Sequence, residues 1–214
     1  PVVSLSLDEG VSVPNLESKL DDSRAQASLL YDTLSSTKSR LLTLDIKWDR
    51  LPRETALSEI TNIALPFQSL EPLTRLGQLW NHSTVTSLNN ASLTLKQNLS
   101  SLLTDATVNK TSYSSPALMD SIETITHLEN ILGDSTNSSK DQTLFGYLAL
   151  VEDRNPTLLS ENQKINATLE NLNGQGEASA IRTIETIKAR LLTLNQYPGG
   201  ENLVNPAKVS SNPK

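Results

Sequence analysis

This chain is expected to be all-α, an elongated helical bundle with coiled-coil packing and about five to six helices. Three observations lead there. Leucine supplies 37 of the 214 residues while aromatics total eight, which suits narrow helix–helix seams better than a sandwich core of Val, Ile, Phe and Tyr. Apolar residues recur at spacings of three and four, with no sustained run of alternating β-branched residues. Prolines and glycines fall between the periodic segments, Pro where a helix would start and Gly where one would end.

Residues 1–13 read as an extended lead-in. From about Asn15 to Arg50 the chain follows a heptad template. One row holds Leu16, Ser23, Leu30, Thr37 and Leu44; the other holds Leu20, Ala27, Leu34, Leu41 and Trp48. Eight of the ten are apolar, the whole second row among them. An unbroken helix of this length is a rod of about 54 Å, longer than the diameter of roughly 35–40 Å that a globule of this mass would have. The expected weak point is Ser35-Ser36.

A short helix follows from about Arg53 to Ala64, cut by Pro66 and Pro72. The next apolar stripe starts with Leu73, Leu76 and Trp80 and continues through Leu88, Leu95, Leu99 and Leu102. Its register shifts around Asn81–Thr86, where a stutter or break is expected. Ser115-Pro116 sets a capping hydroxyl ahead of a proline at the first helical position. Leu118, Ile122, Ile125 and Leu132 form the stripe behind it, and Gly133 ends it. Asp134–Asp141 reads as an exposed loop. Leu144–Val151 is the longest uninterrupted apolar run, apolar all round a helix and therefore expected to be buried. Asn155-Pro156 is expected to open another helix, carrying Leu159, Ile165, Leu169 and Leu172. The last helix bears Ile181, Ile184, Ile187, Leu191 and Leu194. The organisation is thus one helical domain over 14–197, with 107–115 as the place where it would divide, and a disordered tail over 198–214.

"RLLTL" occurs at Arg40–Leu44 and again at Arg190–Leu194. Aligning Thr33–Leu44 with Thr183–Leu194 gives seven identities in twelve, but the match fades on both sides. A duplicated domain would carry its loops along. Shared helix grammar explains the repeat: each copy closes an amphipathic stripe with cations near its C-terminal side.

The net charge is −6 with both signs interspersed. Nucleic acid and anionic membranes need a concentrated cationic surface, and the sequence shows none. No stretch approaches the roughly 20 apolar residues that span a bilayer. With no cysteine, disulfides, thiol catalysis and thiolate metal sites are excluded. That fits an oxidising compartment and also a cytosolic complex, so the localisation stays open with a slight lean outward. Six N-x-S/T sequons lie at Asn81, Asn90, Asn98, Asn109, Asn137 and Asn166. Chance placement in a chain this rich in Asn, Ser and Thr gives about four, so composition accounts for them.

Catalytic and cofactor motifs fail on inspection. The two histidines, His82 and His127, form no HExxH and read as solvated or seam-edge residues. Gly174–Ser179 begins like a dinucleotide loop, but it follows a helical segment and offers Ser179 at the third glycine position. Asp134–Phe145 has calcium-loop polarity, yet Ser139 and Phe145 stand where glycine and a bidentate Glu are needed. No enzyme, cofactor or metal is expected.

The expected function is a non-catalytic scaffold or interaction subunit of a larger assembly. Its partners would be helical, in homo- or hetero-oligomers. Leu30, Leu34, Leu41 and Trp48 on the main seam, with Trp80, are the candidate partner-binding residues. The alternative is an extracytoplasmic sensory or secreted surface domain, which the missing cysteine and abundant Ser, Thr and Asn also fit.

Small-angle scattering is expected to report a particle longer than a compact sphere of equal mass. A spherical profile would contradict the elongated bundle.

Overall fold

A computed structural model describes residues 3–6, 13–108, 115–136, 142–170, 176–194 and 210–213. In chain order the elements are β1 (Val3–Ser6), α1 (Val13–Lys47), α2 (Arg53–Ala64), a 3-10 turn (Leu65–Phe67), α3 (Glu71–Leu79), α4 (Ser83–Val108), α5 (Pro116–Leu132), α6 (Leu144–Glu170), α7 (Glu177–Leu194) and β2 (Ser210–Pro213). The fold is all-α. Among the described residues the only sheet is the four-residue antiparallel pairing of β1 with β2, Val3 opposite Pro213. Apart from β2, the tail expected from 198 onward lies outside the described residues.

The chain divides into two compact units. One comprises Ser23–Gln78 and His82–Gly146; the other comprises Pro1–Asp22, Leu79–Asn81 and Tyr147–Lys214. In the first of these, α4 packs against both α2 and α5. The two helices flanking the polar stretch 107–115 therefore lie side by side in one unit.

α1 is unbroken over 35 residues, and Ser35 and Ser36 lie exposed within it. All ten heptad positions from Leu16 to Trp48 are buried. Fully burying a leucine gains about 1.5–3 kcal/mol, which is what holds so long a helix, because isolated helices are marginal in water. Two ion pairs flank the seam. Lys38 Nζ lies 3.1 Å from Glu129 of α5, and Arg40 Nε lies 2.9 Å from Glu59 of α2. Both are partly exposed and contribute at most about 1 kcal/mol each; they orient α1 more than they stabilise it. The helix closes in a turn, with the Arg50 and Leu51 amides donating to the Lys47 carbonyl. Pro52, extended at φ −57° and ψ 148°, leads into α2.

The register shift near Asn81 is a break. α3 stops at Leu79 and α4 starts at Ser83, where His82 is the cap: its Nδ1 accepts from the Thr84 amide at 3.2 Å. The expected stripe is buried on both sides of the break, from Leu73, Leu76 and Trp80 to Leu88, Leu95, Leu99 and Leu102.

α5 starts and ends as its sequence indicates. The Ser115 hydroxyl accepts from the Ala117 amide at 3.1 Å ahead of Pro116, and it also donates to the Asp105 carboxylate of α4. Leu118, Ile122, Ile125 and Leu132 are buried. Gly133 ends the helix at φ 71° and ψ −161°, a region open essentially to glycine alone. A Cβ there would meet Thr143 at 2.7 Å. Thr143 in turn caps α6, accepting from the Gly146 amide at 3.0 Å.

Three expectations need correction. No helix starts at Pro156, because α6 runs through it from Leu144 to Glu170. An interior proline holds the helical φ but loses an N–H bond and crowds the carbonyl four residues earlier, at about 3 kcal/mol, so it disfavours a continuous helix without forbidding one. The apolar run at the start of α6 is not covered all round: Leu144, Tyr147, Leu148 and Val151 are buried, but Ala149 is exposed. In α7 the buried row is Ala180, Ile184 and Ile187, while Ile181 is 48% exposed. Alanine satisfies the i, i+4, i+7 spacing there, and its small side chain admits close approach. The side chains of Leu159, Ile165, Leu169, Leu191 and Leu194 lie outside the described set, as does Leu172.

Trp48→Asp should cost about 3–5 kcal/mol, the penalty of an uncompensated buried charge. Urea unfolding measures it, and an unchanged midpoint would remove Trp48 from the core. Gly133→Ala should destabilise by about 1–3 kcal/mol from backbone strain, with Thr143 displaced as well. A melting temperature equal to the parent's would show that the turn relaxes freely.

Candidate functional site

The five residues singled out for partner binding lie in the chain's own interior: Leu30, Leu34 and Leu41 are fully buried, and Trp48 and Trp80 nearly so. A partner would reach them only if the helices parted. Trp80 sits in the break between α3 and α4. The Lys19 ammonium of α1 lies 4.6 Å from the Trp80 ring centroid. The Tyr147 ring of α6 meets the indole edge-on, at 5.5 Å and 88°. A cation over an indole contributes about 0.5–2 kcal/mol, and an edge-on ring pair about 0.5–1.5 kcal/mol beyond its burial. Trp80 thus ties three separate chain segments of one unit together.

Among the described residues, two surface depressions lie within the unit that contains α4 and α5. The larger, about 480 Å³, is a groove between these helices. Ser87, Asn90 and Thr94 line it from α4; Glu123, Thr124 and His127 line it from α5. One turn beyond Thr94, the Asn98 amide nitrogen crosses the helix pair and donates to Thr124 Oγ1 at 2.9 Å. The groove presents three hydroxyls and one amide with a single carboxylate and a single imidazole, a set that can hydrogen-bond a polar ligand. Glu123 and His127 are one turn apart on the same helix face. The smaller depression, about 280 Å³, lies among Tyr31 and Asp32 of α1, Asp134 to Thr136, and Phe145. Asp134 there folds onto its own turn, accepting from the Thr136 amide at 2.8 Å and hydroxyl at 2.7 Å.

The sequence singles out neither depression. The larger joins two helices consecutive in the chain, the smaller joins α1 to the residues that follow α5, and the residues involved look like ordinary solvated positions. The nearest signal is the polar face shared by Ser87, Asn90 and Thr94, which repeats at helical spacing. His127 is exposed at the groove rim, and His82 is half-buried as a helix cap. Among the described residues, no group of three or more His, Asp or Glu side chains could hold a metal ion, and no helix is long and apolar enough to cross a membrane. No protein-family model, curated protein or solved structure matches this chain.

His82→Ala should lose about 0.5–2 kcal/mol with the cap and speed hydrogen exchange at the Thr84 amide. His82→Asn, which keeps an acceptor at that position, should recover part of the loss. Equal exchange in all three proteins would show that the imidazole does not cap α4.

Proposed function

We propose that the chain is a non-catalytic helical scaffold, an interaction subunit of a larger assembly, which holds a partner helix against the outer face of α1. The observation that supports this reading is an exposed apolar pair on that helix. Leu42 and Ile46 are 43% and 70% exposed and stand one turn apart, so their side chains are neighbours. They lie off the two buried heptad rows, on a helix whose inner face is already satisfied. Single exposed leucines are common, whereas an i, i+4 apolar pair on a long stiff helix matches the anchor spacing of helix-to-helix recognition. The exposed positions around the pair carry Ser39, Thr43, Lys47, Asp49 and Arg50, so hydroxyls and charges of both signs rim it.

A second reading, an extracytoplasmic sensory or secreted surface domain, draws support from the cysteine-free, hydroxyl- and amide-rich composition. The gene sequence upstream of Pro1 discriminates the two: a transmembrane segment or signal peptide favours the second, a continuing coiled coil the first.

The test of the scaffold reading pairs native mass measurement with affinity capture from the source cells, using the parent chain and Leu42→Asp/Ile46→Asp. Both positions are exposed, so the double variant should melt within a few degrees of the parent while its assembly falls at least tenfold. An assembly unaffected by the two aspartates, or no assembly with the parent, would count against the proposal.

A further inference from the structure

We draw no further inference here: the strongest candidate, the open polar groove between α4 and α5, is lined by surface side chains of a helix pair, and nothing in the structure shows what covers it.

Discussion

Burial of the two heptad rows of α1 is the constraint on which the remainder depends. A helix of 35 residues with nine such positions, and Trp48 just past its end, shut away from water must be covered along its length. Ser23 and Thr37 fall on these rows and are buried too; a short hydroxyl side chain can be hydrogen-bonded locally, so it costs far less there than a charge. The apolar members supply the driving force, and the ion pairs to α2 and α5 select an azimuth. Electrostatics alone could not hold this arrangement, since partly exposed pairs are screened and weak.

The helices keep their polar faces largely through threonine. Threonine has modest helix propensity, because its side chain competes for backbone hydrogen bonds. Here the hydroxyls are turned back onto their own helices: Thr33, Thr61, Thr94, Thr104 and Thr107 each donate to the carbonyl four residues earlier. Their polarity is then partly spent within the helix. The resulting surface is wettable but weakly charged. Association of such a surface would rest on shape and apolar contact, with little long-range steering.

Helix boundaries were legible where they rest on residues with a local mechanism. Ser115, Pro116 and Gly133 act through their own backbone or the next turn, and α5 begins and ends with them. The break near Asn81 showed as a loss of register. Pro156 was misread because proline disfavours a helix interior without forbidding it, and the choice depends on what the flanking turns bury. Ile181 misled for a related reason: hydrophobicity ranks isoleucine above Ala180, but it is Ala180 that shares the buried i, i+4, i+7 row with Ile184 and Ile187. The RLLTL repeat illustrates the same limit, since in the first copy Leu41 and Leu44 are buried and Leu42 is exposed.

By itself the sequence determined that the chain is helical, which face of α1 is hidden, and where most helices stop. These properties depend on spacing and on residue chemistry within a turn or two. Tertiary structure alone decided that Trp80 would lie between Lys19 and Tyr147, that Gly133 would meet Thr143, and that α4 and α5 would leave a polar groove between them. Periodicity states that a face must be covered but carries no label for what covers it, because leucine packs on leucine with little preference as to which.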